Sequence, residues 1–425
     1  MIRTSNNSIG TPVLRFAWSL YDWANSAWSA IIITFIFSRY FVDVLATDPN
    51  TGTLVWTWTI GLSSFVAALI SPIIGSMSDH SNNSKKGLFI TTCLYSIISI
   101  GLWFAVPGNS PLIIFATIIF LGNIAYEISQ ILYNGQLKTI TIPDNYAKLS
   151  GLAWALGYAG TVIIFGAYYV LFFLPQESLF NLNHETFQNI RISFVITGLW
   201  IIIFSIPLFL CLKHQPSKLR TEFNIKAPFI NLLSTCQEIR KHKNLAIFLL
   251  SRLFYTDGIN AIFAVAAIYA TLVFDMNTEQ IIILAIGTNI AAGVGASTLC
   301  FLEHYIGSRK IILVSLISMT GISLTILAIS DATLFIILAM SLSVFFGPVQ
   351  SASRVYFAKA IPDTKTYEFF GFYSFAGKVS AFIGPILFGT VSFAFSSPQA
   401  GMASVLILFV IGFFIMLKVQ PDQVL

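Results

Sequence analysis

The sequence predicts an all-α polytopic membrane protein, with twelve transmembrane helices in two pseudo-symmetric six-helix bundles. Three observations predict it. Apolar residues make up 56% of the 425 and charged residues only 10%, against about 25% charge in a soluble domain, and the mean hydropathy is +0.81. Twelve windows reach the roughly 20 mostly apolar residues that a span needs. The chain also repeats itself. Ile142-Pro143-Asp144 is followed by Gly151 and Gly157, and Ile361-Pro362-Asp363 by Gly371 and Gly377, each copy sitting between two apolar runs. Tyr21-Asp22-Trp23-Ala24-Asn25 is echoed by Tyr255-Thr256-Asp257-Gly258-Ile259-Asn260. Two similar halves with acids at matching places in their first helices describe a secondary transporter.

Taken in order, the first span covers about 15–44 and contains Asp22. It is too long for a signal peptide and lacks a small-residue cleavage site, so it stays as an uncleaved helix. The second and third spans, about 54–77 and 88–107, flank Gly75-Ser76-Met77-Ser78-Asp79 and the pair Lys85-Lys86. The fourth, about 111–135, carries a polar stripe of Tyr126, Glu127, Gln130, Tyr133 and Asn134 at helical spacing. The first Ile-Pro-Asp loop leads into the fifth, about 150–174, and the sixth, about 192–212, completes an N-terminal bundle of residues 1–212. Residues 213–244 form a polar junction in which Phe229, Leu232, Leu233, Cys236 and Ile239 recur at helical spacing among charged neighbours. That pattern reads as an amphipathic helix on the cytoplasmic membrane face, tethering the bundles. The C-terminal bundle, 245–425, opens with a seventh span at about 245–273 that holds Arg252 and Asp257. The eighth and ninth, about 279–302 and 310–330, flank Glu303, Gly307, Arg309 and Lys310. The tenth covers about 332–355; the second Ile-Pro-Asp loop then leads into the eleventh, about 369–395 with Lys378, and the twelfth covers about 400–418.

Positive charge sets the orientation. With both termini in the cytoplasm, 19 of the 23 basic residues fall inside, Arg354 and Lys359 among them, while Arg39 and Arg191 face out. The net charge of +5 is therefore a topology signal, and nucleic-acid binding has no independent support. Cys93, Cys211, Cys236 and Cys300 form no CxxC pair and the five histidines no ligand set, so neither disulfide framework nor metal site nor cofactor is indicated. A phosphate-binding GxxxxGK[ST] loop is lacking, as are HExxH and GxSxG, so energy comes from a gradient and the chain is not read as an enzyme.

Ionisable groups inside a bilayer cost at least about 2.5–3.5 kcal/mol near a helix centre and are functional candidates by default. At about 1.5 Å per residue, Asp22, Glu127, Asp257 and Lys378 lie roughly 10–18 Å from the cytoplasmic ends, near the middle of a core about 30 Å thick. Asp22 and Asn25 share a helix face, as do Asp257 and Asn260. An acid beside an amide holds a proton or a substrate ammonium, or else fixes two helices together. Glu127, with Gln130 one turn on, is the favoured coupling acid, since buried carboxylates titrate nearer neutrality; its alternative is a static pair with Arg252 or Lys378. Lys378 needs an acid from another helix or an anionic substrate group. Asn289 and Gln350 read as helix–helix hydrogen bonds, and Trp154 and Tyr158 as packing or a cavity wall.

Gly75-Ser76-Met77-Ser78-Asp79 followed by Lys85-Lys86 resembles the loop signature between the second and third helices of the major facilitator superfamily, with a worn copy in Glu303, Arg309 and Lys310. Tyr21-Asp22-Trp23-Ala24-Asn25-Ser26-Ala27, Tyr255 to Asn260, and Glu368-Phe369-Phe370-Gly371-Phe372-Tyr373-Ser374-Phe375 with Gly377-Lys378 look like the unknown major facilitator family, which is similar to the vacuolar autophagy-related effluxers. The first gate loop departs from the pattern, reading Asp79-His80-Ser81-Asn82-Asn83-Ser84 without the usual Gly-Arg. The resemblance implies alternating access about a midplane site, a gate at Gly75, Asp79, Lys85 and Lys86 and its echo, and amino-acid efflux. The expected partners are a small polar organic solute, protons or another coupling ion, and the lipid bilayer. The chain is expected to work as a monomer in a bacterial inner (plasma) membrane. The rival expectation is a sensor or scaffold that uses the same fold without transport.

Overall fold

The computed structural model describes residues 10–421 apart from 82, 109–110, 169, 171–181, 184–185, 213–241 and 382. The amphipathic helix expected around Phe229 to Ile239 lies outside the described residues. Twelve helices long and apolar enough to cross a membrane are present among those described. They are α1 (Pro12–Leu45), α2 (Thr51–Asp79), α3 (Ser84–Phe104), α4 (Leu112–Ile140), α5 (Pro143–Tyr168) and α6 (Gln188–Cys211) in the first half. The second half has α7 (Lys243–Phe274), α8 (Thr278–Ile306), α9 (Ser308–Leu327), α10 (Ala332–Ala360), α11 (Asp363–Phe395) and α12 (Pro398–Leu417). The protein is thus an all-α, twelve-span chain in two six-helix sets, as expected.

Local chemistry starts and stops these helices. Thr11 caps α1, its hydroxyl accepting from Leu14 N at 3.2 Å, with Pro12 pre-set in the first turn. Asn277 and Gln280 close a capping box on α8, Asp331 caps α10 through Leu334 N at 2.7 Å, and Ser397 caps α12. Both Ile-Pro-Asp loops behave alike. Pro143–Asn145 and Asp363–Lys365 each form one 3₁₀ turn that runs straight into α5 and α11. The helices therefore begin several residues before the apolar windows at 150 and 369, and α10 continues past 355 to Ala360. Polar helix ends are invisible to hydropathy, which registers only the apolar middle.

Two of the irregular helices matter most for the interior. The outer part of α1 winds as a π-helix over Trp28–Phe35 and again over Phe41–Leu45, a feature that gathers at functional sites. In α11 the α-helix ends at Lys378, turns through 379–381, and resumes at Ile383. Large apolar side chains such as Leu210, Trp58 and Phe393 stand exposed on the outside, the reverse of a water-soluble surface.

The halves meet through small residues. Gly75 of α2 lies against the Tyr367 backbone of α11, and a Cβ on Gly371 would stand 2.5 Å from Ser71 O and Pro72 Cα of α2. Symmetrically, Gly151 of α5 is pressed against Cys300 of α8, with Ala296 O close by. Only glycine permits such approaches. The second glycine of each repeat packs within its own half: Gly157 on the Asp22 backbone of α1, Gly377 on the Arg252 guanidinium of α7.

Candidate functional site

Between the halves lies a cavity of about 280 Å³, walled by α1, α4 and α5 on one side and by Phe263 of α7, Asn289 of α8 and Arg354 of α10 on the other. Asp22, Asn25, Ser26 and Ser29 recur along one face of α1, while Tyr126, Gln130 and Asn134 do so on α4, so helical periodicity alone aims seven polar side chains inward. Trp154, Tyr158 and Thr161 complete the α5 wall. The aromatic pair is therefore cavity lining rather than mere packing.

Arg354 forms the floor. It is 3% exposed, and its three guanidinium nitrogens are all engaged. Nε donates to Ser150 Oγ at 2.9 Å, Nη2 to Ser150 O at 3.0 Å, and Nη1 to Asn134 Oδ1 at 3.1 Å. Nη1 also faces Asp22 Oδ2 at 3.4 Å. The guanidinium lies over Trp18, Tyr133 and Trp154, with 5.0, 5.7 and 5.8 Å to the ring centres, an arrangement that suits a planar cation better than an ammonium. The sequence reading placed Arg354 among the cytoplasmic loop cations; that is corrected here. The helix carries it inward because α10 runs five residues beyond the apolar window, and the buried charge is held by α1, α4 and α5 of the opposite half.

The contact to Asp22 is the longest of the set, at the outer edge of hydrogen bonding, so this pair is the one that a ligand can enter most cheaply. Beside it, the buried Asn25 Oδ1, Gln130 Nε2 and Trp154 Nε1 have no hydrogen-bond partner among the described residues. Unsatisfied buried polar atoms are costly. Here an acceptor and two donors line one cavity.

The other expected site residues divide. Glu127 and Lys378 meet across the halves, Nζ to Oε1 at 2.7 Å, behind the cavity wall and not in it. Of the two partners weighed for Glu127, it is Lys378; Arg252 instead stacks 3.5 Å over the Tyr373 ring and donates to Tyr373 O at 2.8 Å. Asp257 is 1% exposed and lies outside the cavity: its Oδ2 accepts from Gly384 N at 3.1 Å where α11 resumes, while Oδ1 has no hydrogen-bond partner among the described residues. Asn260 is half-buried one turn on and does not reach the cavity. Gln350 forms a long 3.4 Å bond from Nε2 to Tyr158 OH across the halves, and Asn289 donates to Ala285 O of its own helix while lining the cavity.

At the end of the bundle to which most basic loops run, the gate loop closes the molecule. Asp79 accepts from Tyr367 N at 3.0 Å and Glu368 N at 2.8 Å, capping α11 of the other half. Lys138 bridges to Asp363 at 2.8 Å. Lys85 donates to Leu212 O, and Lys86 is exposed. In the second copy, Glu303 accepts from Ser308 Oγ at 2.7 Å, Arg309 reaches Leu417 O at 2.9 Å and Lys310 is exposed.

Two six-helix sets enclosing a polar cavity at their interface define a secondary transporter of the major facilitator type. Comparison narrows this. The family model described as vacuole effluxer Atg22 like matches residues 40–423, and the chain belongs to that family. It is 29% identical over 416 residues to the MFS-type transporter YxiO of Bacillus subtilis (strain 168), covering 96% of this chain and 94% of that one. Autophagy-related protein 22 of Cryptococcus neoformans is 23% identical over 298 residues, a stretch spanning 51% of its length. Among solved structures, the fucose:proton symporter FucP of E. coli superposes with a TM-score of 0.74 at 15% identity, covering 96% of this chain and 98% of that one. The proton:xylose symporter XylE does so at 0.72 and 13%, covering 96% of each chain. At these identities the structures speak for the fold.

Proposed function

We propose that the chain carries a small zwitterionic solute, an amino acid with an apolar side chain, by alternating access driven by a proton gradient. One observation carries the reading: a carboxylate and a guanidinium of opposite halves face each other loosely across the cavity floor. A zwitterion entering between them sets its ammonium on Asp22 and its carboxylate on Arg354, replacing one 3.4 Å contact by two charge-assisted ones. Asn25 and Gln130 supply an acceptor and a donor for what remains polar. An adjoining apolar recess of about 140 Å³, sharing Phe35, Phe263 and Asn289 with the cavity and lined further by Ile262, Leu284 and Phe346, receives the side chain. Because each charge belongs to a different half, ligand binding bears directly on how the halves are joined.

The basic end is assigned to the cytoplasm of a bacterial plasma membrane, which supports a cavity open to the outside in this structure and, with the effluxer family, transport outward. The bundles 1–212 and 245–425, joined through 213–244, move as the rocking units, and one copy of the chain suffices. Lys378 leaving Glu127 belongs to that rocking. The test is exchange of radiolabelled leucine across proteoliposomes of purified protein. Exchange that drops at least tenfold in Asp22→Asn supports the reading. Absence of flux for every amino acid in the wild type would instead leave a non-transporting sensor or scaffold. Cysteine placed at Lys365 should be shielded from an impermeant thiol reagent in intact cells and cysteine at Asp331 labelled; the opposite pattern reverses the orientation.

A further inference from the structure

We infer that the coupling proton rides on Asp257, at the break in α11, and not on the acids of the cavity or of the cross-half pair. This deepens the transport reading and rests on it. Three acids lie near the middle of the spans. Asp22 faces Arg354 and Glu127 is bound to Lys378, so each anion is compensated by a cation. Asp257 has no basic partner among the described residues. From its own helix, Arg252 turns to Tyr373, and the Tyr255 hydroxyl bonds Ser353 Oγ at 2.6 Å. From α11, Lys378 goes to Glu127, and Ser380 donates to Leu253 O. From α10, Arg354 is spent on Ser150, Asn134 and Asp22. From α12, Leu408 and Phe409 present only hydrocarbon, against Gly384 and Gly258.

Two independent features point to an exchangeable proton. Oδ2 is held by the Gly384 N–H in the first turn of the resumed helix Ile383–Phe395, a donor at the positive end of the helix that steadies the anion when the proton is away. Oδ1, in a side chain 1% exposed, has no hydrogen-bond partner among the described residues, and an uncompensated buried carboxylate takes up a proton rather than stay charged. The second segment of α11 packs tightly on α7 here: a Cβ on Gly384 would meet Ala261 at 2.5 Å and Asp257 O at 3.1 Å. The step is a simple protonation. A proton from water on one side adds to Oδ1, the neutral acid lets α7 and the second segment of α11 pack as seen, and loss of that proton to the other side leaves the anion on the Gly384 amide. The turn at 379–381 is the joint that lets water reach it.

The full-length protein in lipid nanodiscs, followed by infrared spectroscopy across pH, tests this without any substrate. The carbonyl stretch of a neutral carboxylic acid should be present in the wild type, lose intensity in Asp257→Asn, whose amide oxygen still accepts from Gly384, and keep its full intensity in Glu127→Gln and Asp22→Asn. Glu368→Gln, which removes the other buried carboxylate with unpartnered oxygens, is the background control. A wild type without that band overturns the inference whatever any variant does, as does a band whose intensity is unchanged in Asp257→Asn. In proteoliposomes, Asp257→Asn should keep leucine exchange and lose accumulation driven by a pH gradient. Retained accumulation marks Asp257 as a static helix cap. A band weakened in Asp257→Asn with no leucine flux in the wild type would leave the proton site standing and remove the amino-acid reading alone.

Discussion

The same Asp-x-x-Asn pattern opens both halves, and the two copies finish in different places. Asp22 faces a cavity and an arginine of the opposite half, with Asn25 beside it; Asp257 is sealed inside its own half on a backbone amide, with Asn260 off to one side. The gate loops differ in the same sense. Asp79 reaches across to cap α11, whereas Glu303 takes the Ser308 hydroxyl one turn away. Repetition in sequence thus reproduces the helix order and the glycine contacts but not the charge chemistry. The backbone is symmetric because packing rules are the same in both halves. The chemistry is not, because a single arginine on α10 attracts one acid and leaves the other alone.

The largest effect expected from breaking this asymmetry is at Arg354. Arg354→Ala leaves Asp22 uncompensated and removes the cation from three aromatic faces, a change of about 3–5 kcal/mol for a buried pair cut on one side, and leucine exchange should fall below detection. Pairing it with Asp22→Asn should recover part of the lost thermal stability but none of the transport. Equal stability of the single and double variants would show that the 3.4 Å contact carries no energy. Arg354→Lys should rescue little, since an ammonium cannot hold Ser150, Asn134 and the stacked rings at once.

Next come the glycines. Gly371→Leu drives a side chain into the α2 backbone between the halves and should force the basic end open, read as lost labelling of a cysteine at Ser29 in the cavity by an external impermeant reagent. Gly377→Leu meets only the movable Arg252 guanidinium, so membrane insertion should be kept and exchange reduced by less. If Gly377→Leu proved the worse of the two, closeness within the second half would matter more than closeness between halves. The smallest effect is at the caps: Asp79→Ala loses about 1 kcal/mol of helix capping, with a modest fall in melting temperature. Glu303→Ala should produce the same fall without altering labelling at Ser29.

Much of this architecture was legible because membranes impose simple rules. Apolar windows located all twelve spans, and Gly75, Asp79, Gly151 and Gly371 marked the places where helices of different halves touch. The polar stripe Tyr126, Gln130 and Asn134 is visible in the sequence, though not the cavity it lines, and Lys378 is one of two cations the sequence offers Glu127. Arg354 escaped because it sits at the polar end of a helix whose apolar window stops at 355, where a basic residue looks like a loop cation. Its acid is 332 residues away in the chain, and no local pattern encodes such a pairing. The fates of Asp22 and Asp257 were hidden for the same reason, as depth along a helix is readable in sequence and the neighbour across the gap is not.

The one-sided lock at the basic end also sets the rates at which the protein is filled. Asp79 on the α11 amides, Lys138 on Asp363 and the Gly75 and Gly151 seams must all part before the cavity faces that side. A solute arriving there meets a receptive molecule only for the fraction of time the seams are open, and its apparent affinity is lowered by that fraction. With the cavity open to the far side, as proposed above, a solute there meets a site already assembled. The two faces of the membrane should therefore report different half-saturation concentrations for one and the same binding site, and loosening the basic-end contacts should draw the two values together.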